Sequence, residues 1–171
     1  RLSTRIDGAA DRQEGEDGHE WVGSHDGYRR AFGTIHTRRL LLSRNGNELI
    51  GDDTLSPPAA LASLPAAARF HLHPNVKPSL IRDGEGALLA LPSGEIWAFE
   101  ASGLRVGLEE SIFFAAADGR HKTGQLIIEF DAVATPQIVW RFARLGTPAQ
   151  RKTRAEEARQ EEAEAEPDLP L

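Results

Sequence analysis

His25, Tyr28, Arg29, His36 and Arg38 place two imidazoles, a phenol and two guanidinium groups within fourteen residues. A Tyr and a His side by side can act as a proton donor and a base. A planar guanidinium pairs well with a carboxylate or a sulfate, and a phenol ring offers a flat face to a sugar. These five residues are therefore candidates for the wall of a groove that holds an acidic sugar. A plainer reading competes with that one. His25-Asp26-Gly27-Tyr28 turns a strand into a loop, with Asp26 capping the backbone and the Tyr28 ring covering the edge of the fold. Arg38 and Arg39 are neighbours on an expected strand and point to opposite faces, so only one can enter a common groove. Arg38 shares a face with His36 and is the one favoured.

The remaining candidates carry less chemistry. His71-Leu72-His73 sets two imidazoles on one strand face, where they could share a zinc ion. A zinc site needs a third and usually a fourth ligand, however, and ordinary hydrogen bonds on a sheet face satisfy such a pair equally well. Trp21, Trp97 and Trp140 would form a sugar-stacking platform if exposed and coplanar. Each lies in or beside an apolar β run, which favours the core instead. Glu109, Glu110 and Glu129 have no matched carboxylates with which to build a hydrolase acid/base pair. No residue is assigned a catalytic or metal-binding role on these grounds.

The elements that must position these groups are short. Apolar runs bounded by Gly, Pro, Asn or Asp recur through the body, and no long segment has helical spacing, a pattern that predicts an all-β antiparallel sandwich of two packed sheets. Thr34–Leu42 and Glu48–Leu55 are expected strands, joined by a tight turn at Asn45-Gly46, where both residues tolerate positive φ. Further strands are expected at Ala68–His73, Ser79–Asp83, Ala87–Leu91, Ile96–Ala101, Leu104–Phe114, Thr123–Phe130 and Ile138–Phe142. The Gly-containing turns between them suggest a meander in which consecutive strands pair. Ser56–Ala67, rich in Pro and Ala, reads as a surface loop.

At 171 residues and 40% apolar side chains, the chain supports one domain with a real core. The sandwich is expected over 19–146, after a polar N-terminal segment, 1–18, in which Arg1–Ile6 reads as the stub of a strand. A charged tail, 147–171, is expected to be disordered or marginally helical, because it has too few large apolar groups to offset its ordering entropy. From Arg151 it carries four cations against seven anions, half of the total charge of −6. The nearly balanced body argues against nucleic acid as a partner. No apolar run approaches the roughly 20 residues of a membrane helix, so a membrane is not expected as a partner either. With no Cys, the compartment cannot be read from disulfides. The chain starts at Arg1 and has no Met, as expected of a fragment of a longer polypeptide.

Ser24–Asp53, together with ARFHLHP at Ala68–Pro74, resembles the C-terminal β-sandwich of bacterial heparinase II/III-like polysaccharide lyases, of an alphaproteobacterial type. In these a His-x-Arg strand, here His36-Thr37-Arg38, runs into a turn and then into a strand ending in Asp. The resemblance covers about Trp21 to Leu145. It implies a parent enzyme that performs β-elimination on a uronic-acid-containing polysaccharide, with periplasmic or extracellular location. It also implies that the bond-breaking groups lie upstream, the catalytic Tyr in an N-terminal α-helical domain and the zinc ligands in positions that precede Arg1, leaving this chain without a cofactor and inactive by itself. The sandwich would support that domain and line its substrate cleft. Heparin is not implied as the substrate. The alternatives are a non-catalytic carbohydrate-binding module and a purely structural one.

Overall fold

A computed structural model describes residues 7–16, 18–115, 119–147 and 150; the expected stub Arg1–Ile6 and the charged tail from Arg151 lie outside them. The alternating runs form strands, each pairing antiparallel. They are β1 (Gly8–Glu14), β2 (Gly18–His25), β3 (His36–Ser43), β4 (Glu48–Leu55), β5 (Pro65–His71) and β6 (Lys77–Ile81), then β7 (Gly86–Ala90), β8 (Ile96–Ala101), β9 (Val106–Ala115), β10 (Gly119–Asp131) and β11 (Gln137–Gly146). One helical turn, α1 (Arg29–Phe32), follows β2. Eight strands make one sheet, in the order β1-β2-β3-β4-β11-β8-β7-β6, and β5-β10-β9 make a second. The expected sandwich is therefore present.

Its core lies where the smaller sheet covers the larger one. Phe99 and Ile138 from the large sheet meet Leu126 and Ile128 of β10, all four fully buried. Burying each such side chain contributes about 1.5–3 kcal/mol. Phe70 of β5 joins them, its ring centroid 4.8 Å from Phe99 and 4.8 Å from Trp140. These rings meet tilted or edge-on, the arrangement their quadrupoles favour. None of the buried core residues comes from β1, β2 or β3. Three strands cannot cover eight, so the inner face of β1–β3 projects past the smaller sheet.

Pairing of consecutive strands holds within β1–β4, β6–β8 and β9–β10, but not throughout. β5 leaves for the second sheet, and β11 inserts between β4 and β8. A sandwich requires such changes of sheet, because a single meander would leave its apolar face in water. β11 gains a partner on each side, which puts Ile138 and Trp140 over the middle of the core. β1 is a strand the sequence pattern does not announce. Its residues GAADRQE are exposed throughout, and it forms through seven register pairs with β2.

The β3–β4 hairpin forms as expected but by a longer turn. Gly46 donates its N–H to the Ser43 carbonyl at 2.9 Å, and Gly46 is left-handed at φ +69 while Asn45 is not. A Cβ added at Gly46 meets nothing within 4 Å, so the cost of Gly46→Ala is conformational alone. We expect a loss of about 1 kcal/mol in urea unfolding. An unchanged midpoint would show that the turn relaxes away from positive φ.

Candidate functional site

β2 ends at His25, and two hydrogen bonds tie the next residue to the one before β1: the Asp26 N–H donates to the Asp7 carbonyl at 3.1 Å, and the Asp7 N–H donates to the Asp26 side chain, Oδ1, at 2.9 Å. The Asp26 carbonyl then accepts the Arg29 N–H at 2.8 Å, starting α1. Gly33, left-handed at φ +71, closes that turn. Tyr28 and Phe32 are four residues apart, so the turn sets them on one side, with ring centroids 6.4 Å apart. Tyr28 also lies 5.2 Å from the His25 ring.

The centre of the site is Asp53, on β4 and only 4% exposed. Register places it opposite Arg38 on β3 and Ile138 on β11. Arg38 donates to it twice, from Nε at 2.6 Å and from Nη2 at 2.8 Å. Trp140 adds its indole N–H at 2.7 Å, and His36 Nε2 lies 2.7 Å from Oδ1. Burial alone would push the Asp53 carboxyl up. The hydrogen bonds from His36, Arg38 and Trp140, with the Arg38 charge, outweigh it and lower the pKa to about 2. Asp53 therefore stays ionised.

The hydrogen-bond partners also settle the imidazole tautomers. The Gly27 N–H donates to His25 Nδ1 at 3.2 Å, so the neutral His25 ring carries its proton on Nε2. That proton points to His36 Nδ1 at 3.1 Å, so His36 carries its own on Nε2 and gives it to Asp53. The chain runs Gly27, His25, His36, Asp53, with every lone pair in use. Neither imidazole can accept a substrate proton without first breaking one of these bonds. The arrangement is built to hold shape and charge.

His25, Tyr28, His36 and Arg38 line one cleft of about 620 Å³ between the open end of the large sheet and β5. Arg29 is exposed on α1 and is not among the lining residues. Arg39 points to the opposite face, as expected, where it pairs with Glu20. The cleft also contains residues that sequence reasoning did not nominate: Asp53, the buried Thr34, and Arg69 on β5. The His-x-Arg strand facing an Asp strand across a hairpin could have marked Asp53. Nothing local marked Arg69, whose place depends on β5 crossing to the second sheet.

The other candidates fall elsewhere. His71 is bonded to Ser111 at 2.7 Å, and His73 accepts the Asn75 N–H at 3.2 Å. Among the described residues no three His, Cys, Asp or Glu side chains gather as a metal ion requires, so zinc finds no fitting set here. Trp140 is core at 3% exposure and Trp97 is half-buried against the core cluster, but Trp21 is 38% exposed, contrary to the burial its β run suggested. The three do not form one platform.

The fold is similar to parts of two solved structures. The heparan sulfate lyase HepC from Pedobacter heparinus superposes with a TM-score of 0.63 at 12% identity, over 79% of this chain and 21% of that one. A heparinase III gene product superposes at 0.66 and 13% identity, over 83% and 22%. The sequence matches the family model for the heparinase II/III-like C-terminal domain over residues 3–141, and the chain belongs to that family. FtsZ-localized protein C of Caulobacter vibrioides is 36% identical over 136 residues, which are 72% of this chain and 23% of that protein. The chain thus spans less than a quarter of the length of these relatives.

Proposed function

We propose that this chain is the non-catalytic C-terminal sandwich of a heparinase II/III-like lyase, bracing an N-terminal catalytic domain and walling one side of its substrate cleft. The parent reaction is β-elimination on a uronic-acid-containing polysaccharide, with the bond-breaking groups supplied by that other domain. The observation that carries this reading is the satisfied network from Gly27 to Asp53 beneath a cleft with Tyr28 and Arg69 at its surface. Such a floor offers stacking and charge while withholding a free base. Leu108, Ile112 and Phe114, on one face of β9 with Glu110 among them and 38%, 51% and 74% exposed, offer apolar surface suited to the bracing contact.

Two outcomes follow for the purified chain. Mixed with acidic polysaccharides, it generates no unsaturated-uronate absorbance, and any such absorbance would contradict the non-catalytic role. In affinity electrophoresis it is retarded by the same polymers, less so at high salt. Tyr28→Ala with Arg69→Ala should weaken that retention about tenfold, as loss of one charge-assisted contact and one stacking contact implies. Equal mobility of wild type and double variant would remove the cleft from glycan binding.

A second reading draws on the FtsZ-localized relative, which at 36% identity is nearer in sequence than the lyase structures at 12% and 13%. In that case the parent localises with FtsZ, and the sandwich serves as a docking module. Imaging a fluorescent fusion of the full-length parent against labelled FtsZ separates the two.

A further inference from the structure

The open inner face of β1–β3 holds a second depression, of about 490 Å³. It shares His25, His36 and Arg38 with the first, so the two adjoin along these residues. Its floor is made of small residues, Gly8 and Ala10 from β1 and Gly23 from β2, with Trp21 beside them. Trp21 is two residues from Gly23 and so on the same face. A Cβ on Gly23 would sit 2.2 Å from the indole Cη2 and 2.5 Å from Cζ2. The missing side chain is what lets the six-membered ring lie down over the strand. The indole rests against β2 at Gly23, and Trp21 remains 38% exposed.

Two arginines lie on the neighbouring strands, Arg38 lining the depression and Arg12 just beyond its lining residues. Arg12 stands opposite Trp21 on β1, and Arg38 stands opposite Gly23 on β3. Arg38 meets Asp53 through Nε and Nη2, and its Nη1 takes no part in that pair. A flat apolar surface edged by positive charge complements a pyranose, which has an apolar C–H face and, in an acidic glycan, an anionic rim. An amphipathic helix would need a row of apolar contacts at helical spacing, and a floor of one indole among Gly and Ala supplies no such row.

We propose that this depression is a second sugar subsite, in which Trp21 stacks on one ring of an acidic glycan while Arg12 and Arg38 face its carboxylate or sulfate. It rests on the acidic-glycan reading of the first cleft, and it extends that cleft to a chain of several sugars.

The test is calorimetric titration of the 171-residue chain with size-graded heparan sulfate and polyuronate oligosaccharides, from disaccharide to hexasaccharide. Wild-type affinity should rise with length. Trp21→Ala should lose about tenfold for the hexasaccharide while binding the disaccharide as before. Gly23→Ala keeps the indole but lifts it off the floor, and should show the same length-dependent loss. Because Trp21 is outside the buried core, both variants should unfold near the wild-type urea midpoint. Retained hexasaccharide affinity in both variants overturns the subsite, and so does an equal loss at every length. If the wild-type chain binds no acidic oligosaccharide of any length, the reading of the first cleft falls as well.

Discussion

Asp53→Ala is expected to lower the unfolding free energy by about 3 kcal/mol, and the Tm by about 6–12 °C for a chain of this size. Four donors converge on this carboxylate, and they differ in what they lose. Trp140 is 3% exposed, so its indole N–H would be left dry and unpaired, at a cost of about 1–3 kcal/mol. The Arg38 side chain is 36% exposed and can turn partly to water, so its share is smaller. His36 loses the acceptor that orients it, and His25 then loses its fixed partner. Asp53→Asn keeps one acceptor oxygen and should fall between alanine and wild type. A urea midpoint for Asp53→Ala corresponding to less than 1 kcal/mol would refute the network as a stabilising unit.

The same carboxylate predicts an acid limb. Its folded pKa, about 2, lies below the ordinary value of 3.8, so the unfolded chain binds the proton more readily. The stabilisation is complete above about pH 4 and is lost as pH falls toward 2, amounting to about 2 kcal/mol. Asp131 adds to the same window. The Ser63 hydroxyl first, then the Val133 and Leu64 N–H groups, lower it to about 2 as well. Asp53→Asn should therefore flatten the acid limb without abolishing it. An unchanged slope between pH 4 and 2 would show that Asp53 does not titrate with folding.

How much of this was legible depends on how far apart the partners lie in sequence. The β3–β4 hairpin, the shared face of His36 and Arg38, and the opposite orientation of Arg39 follow from alternation and a turn signal, all local. Asp53 sits at the end of the same hairpin, yet its role depends on Trp140, 87 residues away. No short window contains that information. β1 has no apolar alternation to reveal it, since it is held by backbone pairing to β2. Trp21 and Trp140 look alike in sequence and meet opposite fates, because only one of them lies beneath the three-stranded sheet. Where that sheet sits is decided by β5 and β11 crossing out of sequential order, and that is a global property of the packing.

That contrast yields the second large effect. Gly51 of β4 faces Trp140 across the register, and a Cβ there would lie 2.0 Å from Cζ2 and 2.2 Å from Cε2 of the indole. The crowding resembles that at Gly23, but the ring cannot retreat. Trp140 is held by its bond to Asp53 at 2.7 Å, by Phe70 at 4.8 Å and by Phe142 at 5.7 Å. Replacing glycine in a strand ordinarily gains about 0.5–1 kcal/mol from the unfolded chain. Overpacking costs about 1–3 kcal/mol, and a strained or broken indole hydrogen bond adds about 1–3 more. Crowding wins, so Gly51→Ala should destabilise by about 2–4 kcal/mol, whereas Gly23→Ala, with a surface ring free to move, should stay within about 1 kcal/mol. Near-ultraviolet circular dichroism should change for Gly51→Ala as Trp140 tilts. Because the loss passes through the Asp53 bond, combining Gly51→Ala with Asp53→Asn should be less than additive, by about 1 kcal/mol or more. Strict additivity would mean that the added methyl is accommodated without disturbing the indole, and that Trp140 is not the link between the core and the cleft.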